Sequence, residues 1–388
     1  MTTTAPHAAT LDILERLVAF PTVSTASNLE LIGYVQNLLT GSGFRTQRLP
    51  DQTGTKAGLL ARLGDDGPGG ILLSAHSDVV PVVGQEWSGA PFRLRWRDER
   101  LFGRGTTDMK GFLASTLAMA QRATKARPDQ PLMMAISYDE EVGCLGIRQM
   151  LPGIKALGWT PELCIVGEPT NMRPAIGHKG KAMMTATCRG TAGHSSLAPC
   201  YANALHLAAE FIAALRGLQE SYAASSVKDD SYDIPYSTVH AGWMQGGTAL
   251  NIVPDHARIE FEFRHLPGDD VEGFRIRVQE EAKGIIQRLS YSNDEAGIEV
   301  RMTNSYPGLE IARDHKAVRR VAELSGQEET IKVAYGTEAG FFSQFGIPTV
   351  VCGPGDMAGQ GHKANEYLAV SQLAACDRMM DRLLAQVV

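Results

Sequence analysis

Four short runs constrain this chain most: ILLSA before His76, PLMMAIS at 131–137, ELCIVG at 162–167 and IPTVVCG at 347–353. Each is almost wholly apolar and too short to be a buried helix. A strand with one solvated face alternates apolar and polar residues; these do not, so both of their faces are buried. Helix-patterned stretches lie between them, at 11–20, 28–40 (closed by Gly41 and Gly43) and 109–123, and again near 314–324 and 371–387. This alternation predicts an α/β fold with a mainly parallel central sheet between layers of helix.

The pattern changes near Gly180. MMTATCRG (183–190) is rich in Thr, a helical stretch follows at 203–218, and STVHAGWMQGG (237–247) ends in glycines. HARIEFEFR (256–264) alternates cleanly, as a half-exposed strand does. A helix at 271–289 and the strand-like GIEVRMT (297–303) complete an α+β set, and the first pattern returns after Tyr306-Pro307-Gly308. The expected organisation is two domains: 1–180 and 299–388 form one, and 181–298 is an α+β unit inserted into it. A chain of 388 residues exceeds one ordinary compact core, in keeping with that division.

Composition excludes several function classes. Lys+Arg number 37 against 43 Asp+Glu, a net charge of −6, and no basic run suggests nucleic acid. No apolar stretch approaches the roughly 18–20 residues of a membrane helix. The first 20 residues carry no Lys or Arg before Arg16, unlike a secretory signal. Cys144, Cys164, Cys188, Cys200, Cys352 and Cys376 are scattered, so neither a disulfide framework nor a cysteine zinc site is expected. A reducing, cytoplasmic setting is the expectation.

In open α/β sheets, functional groups collect at the carboxyl ends of strands. His76 and Asp78 follow ILLSA, Glu140 and Glu141 follow PLMMAIS, and Glu168 follows ELCIVG. Asp108 ends the glycine-rich FGRGTTD, and His362 follows IPTVVCG and a loop. Singly, these residues have ordinary uses. A His caps a loop, Asp108 caps a helix, and Glu140 and Glu141 suit a first helical turn. Jointly, they deliver imidazoles and carboxylates to one rim, a set that suits two divalent ions sharing a carboxylate.

The order HSDVVP, GRGTTDMKG, YDEEVG, IVGEPT, GHKANEY resembles the M20 metallopeptidases, the co-catalytic zinc aminoacylase and deacetylase group, over almost the whole chain. YGTEAGFF (335–342) and IPTVVCGPG (347–355) are most similar to its acetylornithine deacetylase branch. Succinyl-diaminopimelate desuccinylase and acetylcitrulline deacetylase are near relatives of that branch. The resemblance implies a zinc-exopeptidase-like domain with an inserted lid and dimerisation domain, acting as a homodimer. It implies His76, Asp108 and Glu168 on one metal and Asp108, Glu141 and His362 on the other. Zinc is expected, and cobalt or manganese suit the same donors. Asp78 would orient His76, and Glu140 would be general base and then acid.

His194, in GTAGHSS, would stabilise the tetrahedral oxyanion in the partner subunit's site; its plain alternative is a surface histidine bonded to Ser195 or Ser196. Arg264 would clamp an α-carboxylate, and Asn251 would contact substrate; a strand-end surface Arg and a turn Asn are the alternatives. Gly336 and Thr337, in GTEAG, would offer backbone donors at a helix start. The implied reaction is deacylation of an N-acyl amino acid, most of all N2-acetyl-L-ornithine to L-ornithine and acetate in arginine biosynthesis. A desuccinylase, an acetylcitrulline deacetylase and an M20 dipeptidase are the other expected activities, and a non-catalytic binding protein on the same fold is the alternative from another class.

Overall fold

The buried runs become the centre of a nine-stranded sheet in a computed structural model that describes residues 5–126, 128–225, 227–289 and 296–387. Strand Ile71–His76 pairs in parallel with Leu132–Ser137 on one side and Leu163–Val166 on the other, and Thr349–Val351 continues in parallel beyond. Their carboxyl ends therefore face one edge. The absence of alternation has its cause in packing. Leu73, Met134 and Ile165 join a core with the helices Ala8–Val18, Gly111–Ala126 and Val370–Val387. Leu72, Met133 and Cys164, one residue out of phase, are fully buried too. Each such Leu, Ile or Met side chain contributes about 1.5–3 kcal/mol by leaving water.

The sheet is mixed rather than parallel throughout. Arg45–Pro50 and Ala57–Leu63 add antiparallel strands at one side, and Ala175–His178 and Leu309–Glu310 pair antiparallel at the other. Helix Leu145–Ala156 lies close to the sheet because Gly58 leaves room: a Cβ there would sit 2.3 Å from the Met150 sulfur.

Contacts divide the chain into two units, one comprising 1–178, 309–333 and 337–388 and the other 179–308 with 334–336. The second unit has a four-stranded antiparallel sheet in the order Thr238–Gly246, His256–His265, Gly180–Arg189, Gly297–Tyr306. Against the expected boundary at 298, the unit runs on to Gly308, because Gly297–Tyr306 pairs along the length of Gly180–Arg189 and cannot be cut from it. Helices Ala204–Ala224 and Val271–Leu289 supply Phe211, Leu215, Phe274 and Val278 to a core with Ile259, Phe261 and Phe263. Phe263 stacks on Phe274 with ring centroids 4.0 Å apart. Among the described residues, no helix is long and apolar enough to cross a membrane.

Candidate metal centre

The shared edge of the parallel strands gathers His76, Asp108, Glu140, Glu141, Glu168 and His362. His76 is the last residue of its strand. Glu140 and Glu141 lie in the turn after Leu132–Ser137, and Glu168 follows Leu163–Val166. Gly167 lets that last strand end close against the helix bearing Phe112, since a Cβ would lie 2.0 Å from the phenyl ring. Asp108 sits in the wide turn Thr106–Lys110, which leads into helix Gly111–Ala126. His362 comes from a loop beyond helix Met357–Gln360, with φ at +59°.

The side chains form two triads that share Asp108: His76, Asp108, Glu168 and Asp108, Glu141, His362. Asp108 directs one oxygen to each imidazole, with Oδ1 3.0 Å from His76 Nε2 and Oδ2 3.0 Å from His362 Nε2. Glu168 Oε1 is 3.5 Å from His76 Nε2, and Glu141 Oε2 is 3.0 Å from His362 Nε2. Ligands about 2.0–2.2 Å from a tetrahedral ion stand about 3.4 Å from one another. The donors thus fit a cation in each triad, and the donor types suit zinc. The buried Glu141 Oε1, which has no hydrogen-bond partner among the described residues, is a further acceptor facing the centre's charge.

Electrostatics express the same demand. Burial, with Asp108 adding to it, pushes Glu141 up to about 8. Burial followed by Asp108 pushes Glu168 up to about 7. Burial, then Glu168, raises Glu140 well above the carboxylate range. Hydrogen bonds to Asp108 and Glu141 lift His362 to about 11. Burial opposes a charge on His76, yet Asp108, Asp78 and Glu168 raise it well above its ordinary value. Protons here stand where cations of higher charge would bind.

Asp78 does more than face His76 with its carboxylate. His76 Nδ1 lies 2.9 Å from the Asp78 carbonyl oxygen and 3.6 Å from the nearer carboxylate oxygen. The carboxylate accepts the backbone N–H of Glu140 at 3.1 Å and of Glu141 at 3.3 Å, together with the Ser24 hydroxyl at 2.7 Å. It therefore fixes the turn that carries two of the acids. Cys144, which sequence reasoning passed over, donates its thiol to Glu140 Oε1 at 3.3 Å.

Four other expected residues, His194, Asn251, Arg264 and Gly336, belong to the second unit and have their own surroundings there. His194 is exposed, and its Nδ1 accepts the Ser196 N–H at 3.2 Å and lies 2.8 Å from the Ser196 hydroxyl. A neutral imidazole held this way carries its proton on Nε2. Asn251 is adjacent, its carbonyl accepting the Ser195 N–H at 3.1 Å. Arg264 donates through Nε to Glu262 at 2.7 Å and also hydrogen-bonds Tyr306. A Cβ on Gly336 would lie 2.1 Å from the Tyr306 ring, so this glycine permits a close backbone approach.

The Thr337 side chain has partners of its own. It is fully buried, and its hydroxyl accepts the Ala339 N–H at 3.0 Å and meets His178 Nε2 at 3.2 Å. The acid next to it, Glu338, is buried as well, receives the Ser74 hydroxyl at 3.3 Å, and is pushed up to about 7 by burial. Its place in GTEAG was visible, but nothing in that string marks which residue turns inward.

The profile of peptidase family M20/M25/M40 matches residues 72–386. The acetylornithine deacetylase of Myxococcus xanthus is 34% identical over 377 residues, covering 96% of both chains. That of Pasteurella multocida (strain Pm70) is 31% identical and covers 97% of both. Among solved structures, an M20 family metallo-carboxypeptidase, Sso-CP2 from Sulfolobus solfataricus, superimposes with a TM-score of 0.78 at 18% identity, covering 97% of this chain and 99% of that one. The Bacillus subtilis YXEP protein, described as a dinuclear metal binding peptidase from the M20 family, gives a TM-score of 0.67 at 17% identity, with 97% of each covered. At these identities the structural likenesses are likenesses of fold.

Proposed function

The chain belongs to peptidase family M20/M25/M40, and we propose that within it this protein hydrolyses the amide of an N-acyl amino acid, with N2-acetyl-L-ornithine as substrate and L-ornithine and acetate as products. The observation that carries the reading is the pair of triads joined by Asp108, with Glu140 beside them. The choice of substrate is supported by near-full-length identity of 31–34% to acetylornithine deacetylases, and the reaction would then be a step of arginine biosynthesis.

His76, Asp108 and Glu168 would hold one divalent cation, and Asp108, Glu141 and His362 the other, zinc being the natural choice for these donors. Bound there, the pair would acidify water and polarise the amide carbonyl. Glu140 takes the proton from the attacking water and returns it to the leaving amine. A carboxyl group pushed upward by burial is suited to both steps near neutral pH. His194, with its proton on Nε2, is a donor for the developing oxyanion, and Arg264 would receive the substrate carboxylate.

The inserted unit serves as lid and dimerisation domain in this reading. Its outer strand Thr238–Gly246 leaves Trp243 and Met244 exposed at a sheet edge, a surface suited to pairing with a second copy. His194 then acts in the partner's site.

The test is acetate release from N-acetyl-L-ornithine by zinc-loaded protein, with Glu140→Ala as the blank. Release that the blank lacks is the expected result. Absence of release from folded protein holding two zinc ions would remove this substrate. The succinylated, citrulline-derived and dipeptide amides would then be compared by turnover.

A further inference from the structure

We infer that Arg104, Glu366 and Gln85 form a clamp that positions Asp108 and His362 together, and that the clamp governs the second cation far more than the first. The inference rests on the two-cation reading above. Arg104 is 1% exposed, and its guanidinium reaches both ligands through one intermediate side chain each. Towards Asp108, Arg104 Nη1 donates to Glu366 Oε2 at 2.6 Å. The other Glu366 oxygen accepts the backbone N–H of Thr107 at 2.9 Å and of Asp108 at 3.2 Å. Towards His362, Arg104 Nη2 donates to Gln85 Oε1 at 2.6 Å, and Gln85 Nε2 donates to the His362 carbonyl at 3.0 Å. The Trp87 ring lies under the guanidinium at 5.1 Å, and its Nε1 donates to Gln85 Oε1 at 3.2 Å, which holds the amide in one orientation.

A buried ion pair alone is weak support for stability, since desolvation offsets its attraction. This pair is placed where it does something else. His76 ends a buried central strand and Glu168 closely follows another, so the sheet itself locates them. His362 has no such support: it is in a loop, at positive φ, with about half of its side chain exposed. Its carbonyl tether to Gln85 supplies the restraint that packing does not. The planar fork serves Glu366 from one nitrogen and Gln85 from the other, a separation that the compact ammonium of a lysine does not reproduce. Partners that orient ligands typically change metal affinity about 10–100-fold when removed.

The test is Zn2+ titration of metal-free wild type, Gln85→Met and Arg104→Lys in competition with a chromophoric chelator. Wild type should take up two ions. Gln85→Met, which loosens His362 alone, should retain the first at wild-type affinity and bind the second about 10–100-fold more weakly, and Arg104→Lys, which also loosens the shared Asp108, should weaken the second more than the first. Gln85 is partly solvated, so Gln85→Met tests the clamp even if Arg104→Lys misfolds. A merely structural role would lower the melting temperature and move both affinities together, and that outcome overturns the inference, as do unchanged affinities in Gln85→Met. If wild type takes up fewer than two ions, the two-cation reading fails and the clamp with it, which the wild-type arm alone reveals.

Discussion

Without metal, the site should make the catalytic unit less stable as pH rises, and Glu141→Gln should reduce that dependence. Glu141 is raised to about 8 and Glu168 to about 7, against about 4.3 for an unfolded glutamate. The folded state therefore binds protons that the unfolded state has released. A raised carboxylate is tolerated fully below the unfolded value. It destabilises increasingly as pH climbs towards the folded value, so the windows run to about 8 and about 7 respectively. His362, raised to about 11, and His76 act in the same direction, because they too gain protons on folding. Asp108 is held low by His362 and His76 against the effect of burial, so its contribution changes only at acid pH. At pH 7 the two glutamates together hold about 1.4 protons in the folded state, worth about 2 kcal/mol of stability lost per pH unit. Glu141→Gln, neutral at every pH, should reduce that slope by about 1 kcal/mol per pH unit. The assay is urea unfolding of chelator-treated protein at pH 6, 7 and 8, followed by tryptophan fluorescence in a Trp243→Phe background, so that Trp87, Trp96 and Trp159 report on the catalytic unit. Saturating zinc should invert the trend, since its ligands bind deprotonated. A metal-free midpoint that stays flat or rises between pH 6 and 8, or a slope unmoved by Glu141→Gln, would refute the reasoning.

Three further outcomes are expected. Glu140→Ala should keep both metals and the fold while turnover drops by about 10²–10⁴, read as acetate release beside metal analysis; near-normal turnover removes the base assignment. His194→Ala should lower turnover with metal content intact, and mixing it with Glu140→Ala should restore part of the activity through hybrid dimers; no recovery after verified subunit exchange argues against action in trans. Phe263→Ala, which removes a fully buried ring stacked on Phe274, should destabilise the inserted unit by about 3–5 kcal/mol, measured by Trp243 fluorescence in urea.

The ligand cluster was legible in the sequence because buried parallel strands write themselves as unbroken apolar runs, and the acids and imidazoles come directly after those runs. His76, Glu140, Glu141 and Glu168 could be placed on one edge from that fact alone. The side strands were harder to see. Arg45–Pro50 reads RTQRLP, whose exposed, polar pattern carries neither period strongly. The late boundary of the inserted unit turned on pairing between Gly297–Tyr306 and Gly180–Arg189, a contact between segments more than a hundred residues apart. The residues that serve the ligands were hidden for the same reason. Arg104 and Glu366 stand inside the quoted strings GRGTTD and GHKANEY, yet their partnership spans 262 positions.

The two turns that bring the most charge into the cluster are secured in the same manner. Asp78 accepts the peptide N–H groups of Glu140 and Glu141, and Glu366 accepts those of Thr107 and Asp108. In each case a carboxylate from a neighbouring loop grips backbone rather than side chain. This matters because the ligand carboxylates repel one another, and burial strengthens that repulsion. Side-chain tethers would compete with the cations for the same oxygens, whereas backbone tethers leave Asp108 and Glu141 with their oxygens turned towards the imidazoles. The acids are thereby held within bonding distance of shared ions before any ion arrives, and the cost of assembling like charges is met in folding. Glu338 differs: among the described residues its side chain receives the Ser74 hydroxyl rather than peptide N–H groups. That contrast separates the acids that shape the site from one that is buried behind it.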